Sequence, residues 1–264
     1  MAERGVQGGS PVGWASGRLP RRALVAGILL AVAARVAGAE LRVLAPNAVK
    51  EAVAAAAAQH ERATGDKVTL AWSGTEAITR RVTEGEVVDV VVNAAQNFVR
   101  LAAEGKLADP PTDFARSHIG VAVPRGVPAP DIATPETLRE ALLAARSIAV
   151  SSGTSGRHMV EVFARLGIAD RVAAKTLQPP SGAQIAGLVA RGEADLGFQQ
   201  VSELRHAADV HYLGPLPAGL QQYTVYSGAV HALSRQAESA RAFVGRLRSP
   251  EARAATEESG LEPL

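Results

Sequence analysis

The chain has 264 residues, 28 basic against 26 acidic, with no cysteine and only 4% aromatics. Absent cysteine excludes disulfides, thiolate metal sites, thiol nucleophiles and a lipoprotein anchor. Residues 1–39 hold five of the basic residues (Arg4, Arg18, Arg21, Arg22, Arg35) and one acidic residue, Glu3, so 23 basic stand against 25 acidic in the remainder, which leaves no basic field for nucleic acid.

At the N-terminus, arginines precede the apolar run Ala23 to Ala34 and then Ala37-Gly38-Ala39, the pattern of an export signal cleaved near Ala39. The run is shorter than the ~20 residues a membrane-spanning helix needs, and no later segment is apolar for as long. Arg21-Arg22 followed by Ala-Leu-Val resembles a twin-arginine signal. A periplasmic protein beginning near Glu40 is expected, and its 225 residues suffice for one large or two small domains. With few aromatics, its cores must rely on Val, Leu, Ile and Ala, which suits helices laid on a parallel sheet.

From Glu40, short β-rich runs alternate with helical periods. A strand at Leu41 to Leu44 precedes a helix from Asn47 to Thr64, and Lys67 to Trp72 precedes a helix from Thr75 to Glu84. A third strand, Asp89 to Asn93, precedes a helix from Ala95 to Glu104. This alternation predicts a doubly wound α/β sheet, with ligands beyond the carboxyl ends of its strands. Those ends carry Asn47, Ser73 and Thr75, each of which is suited either to capping a helix or to meeting a ligand.

A break at Asp109 to Asp113 is followed by Ile119 to Val123, read as a crossing into a second lobe. The alternation then restarts with helix Pro135 to Ala144, strand Ser147 to Val150 and helix Arg157 to Leu166. A helix from Ser181 to Arg191 and strands Asp195 to Gln200 and Val210 to Leu213 follow. Gln222 to Val230 is the second crossing, and helices Gln236 to Leu247 and Pro250 to Glu258 return to the first lobe. The lobes are thus residues 40–120 with 224–264, and residues 121–223. An internal echo, Gly85 to Asp89 against Gly192 to Asp195, suggests related lobes, each closing a helix with glycine and opening a strand with aspartate.

Ser151-Ser-Gly-Thr-Ser-Gly-Arg-His158 joins a strand to a helix with free backbone N–H groups, hydroxyls and the positive end of a helix dipole, the chemistry of an anion site. Ser152, Ser155, Gly156, Arg157 and His158 are its candidate ligand-binding residues. Arg157 suits a carboxylate ligand or a pair with Glu161 one turn on. The other histidines show no metal-ligand spacing, and no metal or cofactor is expected.

The segments Leu41 to Ala52, Gly85 to Ala94, Leu188 to Gly197 and Phe243 to Pro250 resemble the periplasmic molybdate-binding proteins of ABC importers, two-lobed solute-binding proteins. The resemblance covers nearly all of Glu40 to Leu264. It implies a type II fold, each lobe a mixed, mostly parallel sheet flanked by helices, with two crossing hinge strands, and a monomer that captures a small anion for a permease and an ATPase. In that family hydroxyls and backbone N–H groups hold the oxyanion. Carried over, the first-strand serine falls near Ala48 and is missing, the second is Ser73, backbone donors fall near Ser155 and Gly182, and the family tyrosine falls at Gln200. These departures, with Arg157 and His158, make an organic polycarboxylate a competitor to molybdate. An aconitate isomerase similar to the family supplies the alternative, an enzyme with His158 as base.

Overall fold

A computed structural model describes residues 38–264, together with Gly9; the expected export signal otherwise lies outside the described residues. Two mixed sheets flanked by helices make up an α/β, two-lobed architecture.

The first sheet contains β1 (Glu40–Pro46), β2 (Lys67–Ser73), β3 (Val90–Ala94), β4 (Thr112–Ser117), β10 (Thr224–Val230) and β11 (Glu262–Pro263), in the order β11-β4-β10-β3-β1-β2. Parallel pairing is confined to β2-β1-β3, and β10 runs antiparallel to both β3 and β4. Helices α1 (Lys50–Thr64), α2 (Thr75–Thr83) and α3 (Ala95–Ala103) are the crossovers that such parallel strands require. Alanines at 52, 56 and 57 with Val53 give α1 a narrow apolar face, which lets it lie close on the sheet while α10 (Pro250–Glu258) packs against it. Gly65, at φ 77°, ends α1 in the left-handed conformation that only glycine adopts cheaply.

The second sheet has the order β7-β6-β8-β5-β9, built from β5 (Ile119–Pro124), β6 (Ile148–Val150), β7 (Thr176–Leu177), β8 (Leu196–Gln200) and β9 (Val210–Pro215). Here β6 is parallel to β7 and β8, and β5 is antiparallel to β8 and β9. Its helices are α4 (Pro135–Ala144), α5 (Thr154–Arg165), α6 (Ala169–Ala173), α7 (Ile185–Ala190) and the single turn α8 (Val201–Arg205), while α9 (Ala237–Arg246) lies on the first lobe. Strand β6 is buried throughout, as befits a central parallel strand reading Ile-Ala-Val.

The internal echo has a physical basis. Asp89, before β3, accepts a hydrogen bond from the Arg42 backbone N–H at 2.8 Å, and Asp195, before β8, accepts one from the Arg146 backbone N–H at 2.8 Å. Each aspartate thus ties the start of its strand to the chain entering the neighbouring strand of its lobe, and each follows a left-handed glycine, Gly85 or Gly192.

The chain passes between the sheets twice, at His118 between β4 and β5 and through residues 216–223 between β9 and β10. Gln221 clamps the two passages together: its Oε1 accepts from Ile119 N at 2.9 Å and its Nε2 donates to Ile119 O at 3.0 Å. Three expectations differ from what forms. Strand β4 occupies residues expected to be a break, α5 begins at Thr154 rather than Arg157, and α7 begins at Ile185 rather than Ser181.

Candidate functional site

A cavity of about 40 Å³ lies where the carboxyl ends of β1 and β2 meet those of β6 and β8. The first lobe contributes Pro46-Asn47-Ala48, Ser73-Gly74-Thr75 and Tyr226; the second contributes Ser151 to Ser155, Pro180 to Ala183, Gln199, Gln200 and Glu203. Among the described residues, no lysine, arginine or histidine lines it.

Two helix starts face each other across it. Gly74 caps α2 and Gly153 caps α5, both extended and neither offering a side chain to the first turn, so the N–H groups of Thr75 and Glu76 and of Thr154 and Ser155 have no intrahelical acceptor. Ser151 folds back beneath α5: its Oγ accepts from Gly153 N at 3.3 Å and Gly156 N at 3.1 Å and meets Ser155 Oγ at 2.8 Å. A side chain on Gly156 would collide with the Ser151 carbonyl, so the turn needs glycine there. Below α2, the Thr75 carbonyl accepts from Asn93 Nδ2 and Asn97 Nδ2, a buried amide layer that holds the helix start in position.

The lobes touch directly around the cavity. Asn47 Nδ2 donates to Gly182 O at 3.3 Å, Ala77 N to Ser181 Oγ at 3.2 Å, and the Ser202 hydroxyl to Ala48 O at 2.7 Å. A Cβ on Gly74 would stand 2.2 Å from Ser181 Oγ, so the absence of a side chain there permits the approach. Ser152 Oγ, Thr154 Oγ1 and Gln200 Oε1 are buried and have no partner among the described residues, although buried polar atoms are nearly always bonded. Gln200 Nε2 donates to Thr224 Oγ1 at 3.0 Å. Because a hydroxyl both donates and accepts, the reversed amide makes the same bond with Thr224 and leaves its N–H₂ free for an anion.

Of the residues expected at a site, Asn47, Ser73, Thr75, Ser152, Ser155, Gly182 and Gln200 line the cavity, and Gly156 lies in the turn beneath it. Arg157 and His158 do not. The helix α5 starts three residues earlier than expected, and its residues in the cavity wall are Thr154 and Ser155. Arg157 Nη1 pairs at 2.5 Å with Glu76 Oε1 of the first lobe, not with Glu161. His158 is 7% exposed, its Nε2 donates to Leu220 O at 2.7 Å, and its Nδ1 lies 3.4 Å from Glu161 Oε2. That ring is held among structural partners and does not line the cavity.

Sequence reasoning missed Glu203 and Tyr226, both in the cavity wall. Glu203 lies four residues beyond Gln199 of β8, whose Nε2 donates to Glu203 Oε1 at 2.8 Å; Gln199 is itself oriented by Ile185 N, which donates to its Oε1 at 2.9 Å. Burial pushes the Glu203 carboxyl up to about 8, opposed by a hydrogen bond with Gln184 and reinforced by the charge of Glu51. Burial also pushes the Tyr226 phenol well above its usual range, with Glu203 adding to the effect. A glutamate just past the carboxyl end of a cleft strand was the available signal.

A family model described as bacterial extracellular solute-binding protein matches residues 41–262. An aconitate isomerase from Pseudomonas sp is 34% identical over 258 residues, covering 94% of this chain and 97% of that protein. Among solved structures, the periplasmic molybdate-binding protein of Azotobacter vinelandii is 20% identical with a TM-score of 0.71, over 84% of this chain and 98% of its own. A sulfate-binding protein from Mycobacterium tuberculosis is 18% identical with a TM-score of 0.68, over 86% and 87%.

Proposed function

This chain belongs to the bacterial extracellular solute-binding protein family, and we infer that it captures a small anion in the cavity between its lobes. The observation that carries the reading is the pair of helix starts, α2 and α5, opening on one cavity lined by hydroxyls and amides with no basic side chain. Unpaired N–H groups and two helix dipoles stabilise negative charge without a cation. Asn47, Ser73 and Thr75 serve from the first lobe; Ser152, Ser155, Gly156, Gly182 and Gln200 serve from the second. Because donors come from both lobes, the anion binds the closed form better than the open one and so drives closure.

The cavity volume favours an oxyanion of molybdate or sulfate size. In so small a space a compact oxyanion meets donors from both lobes at once. On this reading Arg157 contributes by holding the lobes together, and His158 by fixing α5 to the segment at Leu220. Family membership supports a periplasmic protein that delivers its anion to a permease and an ATPase of an ABC importer; cleavage near Ala39 and action as a monomer belong to the same proposal. Thermal-shift assays with molybdate, tungstate, sulfate, citrate and the aconitate isomers test it: an oxyanion raises the melting temperature, and a response to carboxylates alone excludes the oxyanion reading.

A second reading, isomerisation of a tricarboxylate, is favoured by the 34% identity to an aconitate isomerase over nearly the whole chain. That chemistry moves a proton on an activated carbon and requires a base in reach of it. His158 does not supply one from its present position, so a cavity residue would have to. Purified protein incubated with trans-aconitate and followed by NMR decides: conversion establishes catalysis, and an unchanged spectrum at high protein concentration removes it.

A further inference from the structure

The cavity that two helix starts make favourable to anions also contains a carboxyl group, and a carboxylate there would oppose the charge it must face. Glu203 is partly open to the cavity and lines it beside Gln200 and Tyr226. Its Oε1 accepts from Gln199 Nε2, whose amide is fixed by Ile185 N, and Gln184 also hydrogen-bonds to the carboxyl.

Among the described residues, the surroundings provide no cation to hold it ionised. On α1, Lys50 is exposed and Glu51 adds negative charge. On β10, Tyr226 is a neutral phenol. Within α8, Arg205 is turned toward Gly260, and next to it His206 bonds to the Glu258 carbonyl. On β9, His211 is exposed and Tyr212 is a phenol kept neutral mainly by burial. The remaining elements against α8, namely β5, β8, α7 and the turn Asn47–Val49, carry no charged side chain.

We propose that Glu203 meets the captured anion as a protonated carboxyl and donates its O–H to it, so that anion capture is coupled to one proton on this residue. The inference rests on the anion-capture reading and extends it to selectivity. In the neutral form Glu203 is one more donor among the hydroxyls and N–H groups; in the ionised form it is a like charge within the same small cavity. Burial holds the carboxyl neutral up to about pH 8, so the donor form is the resting state at neutral pH. Above that pH, each bound anion must bring a proton from solvent. The Glu203→Gln variant keeps a donor in the same position and removes the titration.

Calorimetric titration with molybdate and with sulfate, neither of which changes charge between pH 6 and 10, tests this. The wild-type dissociation constant stays level to about pH 8 and then rises by about tenfold per pH unit, while that of E203Q stays level throughout. At pH 9, wild-type titrations in two buffers of different ionisation enthalpy show uptake of about one proton per anion, a readout independent of how the variant folds. Wild-type and E203Q profiles that run parallel, with no proton uptake, overturn the coupling alone. Absence of binding by either anion at pH 6 overturns anion capture, and the coupling with it.

Discussion

Arg157 Nη1 of the second lobe lies 2.5 Å from Glu76 Oε1 of the first, an ion pair outside the cavity that bridges the two lobes. Both side chains are substantially exposed, at 46% and 36%, and such pairs contribute ~0.2 to 1 kcal/mol. Arg157→Ala therefore weakens anion binding by at most about fivefold, Glu76→Ala by the same amount, and the double variant no further. Titration of the three variants checks this. Complete loss of binding in Arg157→Ala with full binding in Glu76→Ala would instead mean that the guanidinium grips the ligand.

Gly74 measures closure without touching the fold. Its φ of −88° and ψ of 156° suit alanine, yet a Cβ would stand 2.2 Å from Ser181 Oγ and 2.4 Å from Gly182 N across the cleft. Gly74→Ala keeps its circular dichroism spectrum and melting temperature but loses ~10-fold or more in affinity, because the closed form is penalised and the open form is not. Small-angle scattering with saturating ligand then shows a larger radius of gyration than in the wild type.

Much of this architecture was legible from residues alone, for local reasons. Apolar runs such as Val90-Val-Val and Ile148-Ala-Val, set between glycine, aspartate and serine, announce buried parallel strands wherever helical periods separate them. The hydroxyl loop at Ser151 to Ser155 is likewise a local signal. What was not legible depended on distant partners. Strand β4 reads Thr-Asp-Phe-Ala-Arg-Ser after two prolines and becomes a strand because β10 pairs with it. Gly153 caps α5 without a side-chain signal, so the helix start was misjudged by three residues, and a helix turns ~100° per residue. Glu203 escaped notice because a five-residue helix is too short to show a period.

The neutral Glu203 carboxyl has a cost in stability. Its folded pKa, about 8, lies above the value of an unperturbed glutamate, so the folded state is unpenalised below pH ~4.5 and loses stability progressively as pH rises from there to about 8. Glu203→Gln abolishes that slope and stabilises the protein by roughly 1 to 3 kcal/mol at pH 8, a melting temperature several degrees higher, with little difference at pH 4. Thermal unfolding across that range checks the sign.

Asp66 behaves oppositely. The Ser239 hydroxyl and His60 Nε2 at 2.8 Å donate to its carboxylate, as does Ala39 N in the uncleaved chain, which lowers its pKa from 3.8 to about 2. The resulting stability is fully present above pH ~4 and is lost as pH falls toward 2. Asp66→Asn costs about 1 to 2 kcal/mol at pH 7 and flattens the acid limb of the stability curve, as urea unfolding at pH 3 and pH 7 shows.

The most direct measurement is isothermal titration of the purified protein and its Gly74→Ala variant with molybdate, sulfate, citrate, cis-aconitate and trans-aconitate at pH 7. An interlobe cavity built from neutral donors predicts that molybdate or sulfate binds the wild type with one site per chain, more tightly than any carboxylate, and binds the variant at least ~10-fold more weakly. Equal affinity for wild type and variant, or binding of the carboxylates alone, would contradict it.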